Sequence, residues 1–298
     1  MLHDHRPGPN VIYQGAAVIL GETRFDADEA GFRSEGVADV WPSIAFPRKP
    51  LGIRAADASP VFGDANTAIL FTVGRPYRRI SIDGHGSWTE WIEIRPDVLA
   101  GMASGVPFVA SSAPAPAAAH LAHRRARRRL EQEGTTDGLA LEETALAIAG
   151  EVLAAGLALH GGRGAKAQDL VFDVQALLNR RLGRPLSLAD ISDALCVSPY
   201  HVCRVFREHT GVPIHRYRDR LRLRASLEMI AERDASLLEI ALDLGYANEA
   251  HFSDAFRRTF GMRPGAYRRS LSRPTLSRGS FATRAWRRRR PPERRPGS

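Results

Sequence analysis

The sequence predicts an α+β chain, with a strand-rich N-terminal barrel, a helical connector and an all-α C-terminal domain. Three observations predict it. Short β-rich runs broken by turn residues fill Asn10 to Met102, the rhythm of a small barrel or sandwich. At 111–119, Ser-Ser-Ala-Pro-Ala-Pro-Ala-Ala-Ala, the composition switches to helix formers. Beyond residue 167, two similar pairs of capped short helices flank one longer helix.

The 298 residues are 44% apolar and 25% charged, ordinary globular composition with room for about two domains. The net charge of +9 is unevenly spread: residues 1–166 hold 17 basic and 19 acidic groups, 167–270 hold 16 and 13, and 271–298 hold 9 and 1. This excludes a uniformly basic packaging protein, so any nucleic-acid contact in the body must come from the arrangement of charge. Cys196 and Cys203 are the only cysteines, too few for a metal knuckle or disulfide framework and suited to a reducing compartment. The N-terminus lacks the apolar core of a secretory signal, and Glu142, Glu143 and Glu151 interrupt the longest apolar stretch, Leu139 to Leu159. The expectation is a cytoplasmic chain with no membrane partner.

Taken in order, strands are expected over Ala68–Val73, Tyr77–Ile82 and Ser87–Ile94, separated by Gly74-Arg75-Pro76 and Asp83-Gly84-His85-Gly86. Helices follow over His120–Glu133 and Leu139–Leu159. The arginine run at 124, 125, 127, 128 and 129 covers several faces of the first, as in a solvated interdomain helix or a DNA-binding one. The second sets Leu141, Ala145, Ile148, Val152 and Leu153 near helical spacing, a broad apolar face that needs a partner. Gly161-Gly162-Arg163-Gly164 marks a boundary. The division is 1–110 for a sensing domain, 111–166 for a helical linker and dimerisation segment, 167–270 for the all-α domain, and 271–298 for a disordered Arg-rich tail.

Ser187 and Asp190 form a capping box at the start of a helix carrying Leu188, Ile191, Ala194 and Leu195. Ser198 caps the next, with Pro199 at its first position, and His209-Thr210-Gly211 stops it. Val202, Val205 and Phe206 fall on its inward face, leaving Tyr200, His201, Cys203, Arg204 and Arg207 outward. Such a face suits a major-groove reader: Arg204 can fork onto guanine O6 and N7, Tyr200 can pack on bases, and Arg207 can reach phosphate. An ordinary helical hairpin with a solvated face fits this segment as well.

A second unit tips that balance. Ser236-Leu237-Leu238-Glu239 is a full capping box, and Asn248 caps a helix that buries Phe252, Ala255 and Phe256. That helix exposes Ala250, His251, Ser253, Asp254, Arg257 and Arg258, the last two towards phosphate. The helix from Pro213 to about Ala231 is a rod of roughly 27 Å at 1.5 Å per residue, near the roughly 34 Å of one DNA turn.

These residues, with Thr210-Gly211-Val212-Pro213, Ile240-Ala241-Leu242-Asp243-Leu244-Gly245-Tyr246 and Phe260-Gly261-Met262-Arg263-Pro264, closely resemble the DNA-binding domain of the AraC/XylS family of bacterial transcriptional regulators. The resemblance implies two helix-turn-helix units on promoter double-stranded DNA. It assigns base reading to Tyr200, Cys203 and Arg204 in the first unit and to the region of Ala250, His251 and Asp254 in the second. Two positions depart from the family pattern. Asp254 stands where Arg is frequent, and Cys203 replaces a hydroxyl or amide side chain.

Residues 10–102 are more weakly similar to the family's cupin-like sensor domain, through Ile44-Ala45-Phe46-Pro47-Arg48, Asp64-Ala65-Asn66-Thr67 and Gly74-Arg75-Pro76-Tyr77. This similarity implies an unidentified small-molecule effector and a homodimer, with RNA polymerase as a further partner. Arg48, Tyr77, Trp88 and Trp91 can line the effector pocket, although core packing accounts for the aromatic residues equally. Two enzyme readings compete. A metal-dependent cupin enzyme needs paired histidines and a carboxylate, whereas His85 stands alone; a repair methyltransferase needs a nucleophilic cysteine outside the helix-turn-helix. The expectation is no enzyme, no cofactor and no metal.

Overall fold

The computed structural model describes residues 8–37, 41–55, 59–82, 84, 86–102, 112–134, 137–157 and 165–271. His85, the boundary glycines at 161, 162 and 164, and tail residues 272–298 lie outside this set. Leu271, expected from the sequence at the start of the tail, is instead the last residue of a helix.

Strands β1 (Gly8–Gln14), β2 (Val18–Phe25), β3 (Ser43–Pro47), β6 (Thr67–Phe71), β8 (Ser87–Ile94) and β9 (Ser112–Pro114) form an antiparallel sheet in the order β1-β2-β8-β3-β6-β9. Strands β4 (Leu51–Ala55), β5 (Val61–Gly63) and β7 (Tyr77–Ser81) form a second, in the order β5-β4-β7. Two short helices, α1 (Ala30–Arg33) and α2 (Pro96–Met102), fill connections. The strands expected over 68–73, 77–82 and 87–94 are present as β6, β7 and β8 within two residues at either end. They belong to two facing sheets and not to one closed barrel among the described residues, because period-two patterning reports which face is buried and says nothing of closure.

Alternation along β8 sorts its side chains. Ile92 and Ile94 join Val18, Ile44 and Leu70 under the helices, while Trp91 packs between the sheets against Ala45, Leu51, Ile53 and Ile69. Gly21 is required beside it, since a Cβ there would lie 2.2 Å from the Trp91 ring. Helices α3 (Ala117–Glu133) and α4 (Gly138–Leu157) cover the helix-facing side. Ala145, Ile148, Ala149 and Val152 are buried there, with Leu146 and Leu153 packed alongside. The apolar face of α4 is therefore occupied by the chain's own sheet and does not by itself call for a second copy. Of the large apolar side chains on α4, Leu139 and Leu157 remain exposed.

The C-terminal region contains α5 (Ala165–Arg180), α6 (Leu188–Leu195), α7 (Pro199–Thr210), α8 (Ile214–Glu232), α9 (Leu237–Asp243), α10 (Glu249–Phe260) and α11 (Pro264–Leu271). Helix α8 serves two cores. Its Tyr217 and Leu221 pack with Val174, Leu178, Ile191, Val202 and Phe206. Its Leu223, Leu227 and Ile230 pack with Ile240, Phe252, Phe256 and Tyr267. Phe206, Phe252 and Phe256 are at most 1% exposed, each contributing roughly 1.5–3 kcal/mol of burial.

The two halves meet through buried polar contacts. The Asp64 carboxylate accepts from the Tyr217 hydroxyl at 2.9 Å, Asn179 Nδ2 at 3.0 Å and the Asn66 amide at 2.8 Å. Asn66 Nδ2 donates to the Tyr217 carbonyl at 2.9 Å. The Arg224 guanidinium donates to the carbonyls of Ala65 and Ala115 and to Asn66 Oδ1. Beside this lies an ion cluster. Arg48 bridges Glu90, Glu228 and Glu232, Arg124 bridges Glu90 and Glu228, and Arg127 reaches Glu90 and Glu22. The arginine run is thus not a uniformly solvated face: Arg124 is 7% exposed. Burial alone would raise the Glu90 carboxyl, but Arg124 and its companions outweigh burial and hold it well below the usual carboxylate range.

Candidate nucleic-acid interface

Local chemistry fixes each candidate reader helix. In the first unit the Ser187–Asp190 box is closed in both directions, Asp190 N donating to Ser187 Oγ at 3.1 Å and Ser187 N to Asp190 Oδ2 at 2.7 Å. Cys196 then turns the chain in a left-handed conformation, φ 54°. Ser198 Oγ accepts from His201 N at 3.3 Å to start α7, and Gly211 ends it. The second unit repeats the plan: Ser236 boxes with Glu239, Asn248 Oδ1 accepts from His251 N at 2.8 Å, and Gly261, φ 73°, ends α10.

Both helices bury the side that the sequence assigns to the core, namely Val202, Val205 and Phe206 in α7 and Phe252, Ala255 and Phe256 in α10. The opposite side of α7 exposes Tyr200, His201, Cys203, Arg204 and Arg207, with Tyr200 77% exposed. On α10, Ala250, His251, Asp254, Arg257 and Arg258 are exposed and Ser253 is half-buried. His251 meets the Tyr246 ring edge to face at 5.4 Å, and the Tyr246 hydroxyl donates to Asp219 at 2.8 Å, which ties the second turn to α8. The segment leading into α6 is tied to the same rod, Arg218 donating to the Leu186 carbonyl and Arg222 to the Leu182 carbonyl. At 19 residues α8 is about 28 Å long.

One partner escapes the sequence reading. Glu208, one turn after Arg204, holds its guanidinium at 2.9 and 3.0 Å through both carboxylate oxygens. The i,i+4 spacing is the signal that could have found it.

The four candidate effector residues fall into two places. Arg48 and Trp88 meet at the ion cluster, the Arg48 guanidinium 4.3 Å from the Trp88 ring centre with Arg24 3.7 Å away on the same ring. Tyr77 and Trp91 pack against the core between the sheets. Trp91 also borders a narrow cleft with Leu20, Ile92, Leu141 and Ile148, closed at its polar end by Glu90, His123 and Arg127. Among the described residues no group of three or more His, Cys, Asp or Glu side chains is gathered as metal ligands. Nor is any described helix long and apolar enough to cross a membrane.

Residues 191–270 match the family described as "Helix-turn-helix domain". The HTH-type transcriptional regulator GlxA of Rhizobium meliloti is 40% identical over 87 residues, 29% of this chain and 26% of that protein. The HTH-type transcriptional activator RhaS of Escherichia fergusonii is 35% identical over 89 residues, 30% of this chain and 32% of that one. The chain thus spans about a quarter to a third of the length of these relatives. A transcriptional regulator from Chromobacterium violaceum with an AraC-type DNA-binding domain aligns over 38% of this chain and all of that one, at 26% identity and a TM-score of 0.35. ToxT of Vibrio cholerae aligns over 87% of this chain and 99% of that one at 12% identity and 0.36. Likenesses at these scores add no weight. Over α6 to α11, where both turn units and their shared rod lie, the chain carries a helix-turn-helix domain similar in sequence to those of AraC-type transcriptional regulators.

Proposed function

We propose that the chain is a sequence-specific regulator that reads promoter double-stranded DNA with α7 and α10 in successive major grooves. The carrying observation is that both helices expose a polar, arginine-bearing face while their buried faces hang on the two ends of α8. Tyr200, His201, Cys203 and Arg204, with Ala250, His251, Ser253 and Asp254, are the base-side residues. Arg207, Arg257 and Arg258 are the phosphate-side ones. Selecting bound fragments from the protein's own genome tests this reading, and retention of all fragments alike would defeat it.

A cupin-like N-terminal sensor (1–110), a linker and dimerisation segment (111–166) and the DNA-binding domain (167–270) complete the reading. The narrow cleft at Trp91, with apolar walls and a charged end at Arg127 and His123, is the candidate effector site, and a small molecule would have to widen it to enter. Because Glu90 belongs to both this cleft and the ion cluster, an effector that displaces Arg127 would act on Glu228 of α8 through Arg124. Homodimerisation, contact with RNA polymerase and a cytoplasmic location belong to the same proposal. The regulatory reading is preferred to a metal-dependent cupin enzyme because the curated relatives are regulators.

A further inference from the structure

We infer that the cleft between α3 and α11 is a sequence-independent site for the DNA backbone, outside both helix-turn-helix units. The inference rests on the reading of α7 and α10 as DNA readers.

The arginines of α3 divide by face. Arg124 and Arg127 turn inward to Glu90, Glu228 and Glu22. Arg125, Arg128 and Arg129 turn the other way, into an open cleft of about 700 Å³ bounded by Arg269 and Leu271 of α11. Gln132 Nε2 spans it to the Leu271 carbonyl at 3.3 Å, Arg125 lies 3.0 Å from Met262 Sδ, and Arg128 reaches the Ala231 carbonyl at 3.5 Å. Among the described residues no carboxylate lines the cleft. Among the described residues none of its four arginines is in an ion pair, whereas each inward-facing arginine is held by at least two carboxylates.

Four guanidinium groups spread along an open cleft exceed what one small anion can engage, and suit a row of phosphates, each of which a guanidinium can fork. Continuity selects DNA over an acidic protein. Met262 lies two residues after α10, whose last turn exposes Arg257 and Arg258, and Arg263 is exposed at the corner leading to Arg269. The chain that continues from Leu271 adds nine arginines and one glutamate over residues 272–298. The second reader helix and the cleft therefore make one cationic track.

The test uses the full chain, its selected site and an unrelated duplex of equal length, titrated at several salt concentrations. R129Q/R269Q is expected to melt like the wild type and to weaken both duplexes by the same factor. Its log K against log salt should flatten by about 0.9 for each phosphate that is no longer neutralised, or about two units in all. R129K/R269K, which keeps the charge, is expected to retain the wild-type slope. An unchanged slope in the Gln variant overturns the proposal, as does weakening confined to the selected site. A wild-type chain that prefers no duplex overturns the reading of α7 and α10 itself, and with it this inference.

Discussion

The Tyr217 hydroxyl, on the helix that joins the two turn units, lies 2.9 Å from the buried carboxylate of Asp64 on the β5–β6 turn. Gln175 donates to the same hydroxyl at 2.7 Å. Tyr217→Phe leaves both partners short inside the protein, which is expected to cost about 1–3 kcal/mol. Chemical denaturation of the full chain measures it. A midpoint equal to that of the wild type would mean that this contact does not join the halves in solution.

The reader helices are legible in the sequence because their determinants are local: cap boxes at Ser187 and Ser236, Pro199 at a first position, glycines at 211 and 261, and apolar spacing of three and four. The junction is not legible. Asp64 and Tyr217 are 153 residues apart, and neither carries a pattern that names the other. Likewise Arg124 and Arg125 are adjacent and chemically identical, yet one is buried beside Glu90 and the other faces an open cleft. Only the packing of α3 against two partners separates them. Helix α5 escapes the sequence reading although Val171, Val174 and Leu178 recur at helical spacing, because no cap residue marks its start.

Arg204→Ala is expected to weaken binding to the selected site by about 1–3 kcal/mol and to relax preference at one base pair, with melting unchanged. Arg207→Ala should weaken all sequences alike. Glu208→Ala frees Arg204 from its ion pair and removes a carboxylate near the groove, so tighter binding is expected. Parallel titrations of the three variants check this set.

Acid should loosen the junction before it affects the reader helices. Burial outweighs the nearby Glu90 and pushes His123 down to about 4, from 6.5. Between these values the unfolded chain takes up a proton that the folded chain refuses. Stability is therefore full above pH 6.5 and falls as pH drops towards 4, by about 3 kcal/mol from this group. His120, buried beside it and lowered for the same first reason, acts in the same sense. Asp64, raised by burial, opposes them as the pH falls towards 3.8, since its folded form binds the proton more readily. His123→Gln should shrink the fall in melting temperature between pH 6.5 and 4; an identical pH profile would refute the assignment.

Asp254 is exposed on α10, among the positions proposed to face the bases. A carboxylate there is repelled by phosphate and cannot donate to guanine, though it can accept from cytosine N4. Asp254→Arg is expected to strengthen binding overall and to shift preference at its position towards G. Comparative site selection decides it, and unchanged affinity and preference would place Asp254 away from the groove.

On the proposed reading, α7 and α10 enter two successive major grooves from one rigid rod. Site selection from random duplexes with the full chain tests it most directly. Two blocks of fixed bases are predicted, centred about 10 base pairs apart on one face of the helix, with Arg204→Ala blurring the first block and leaving the second intact. A single block, two blocks on opposite faces, or no enriched sequence would contradict it.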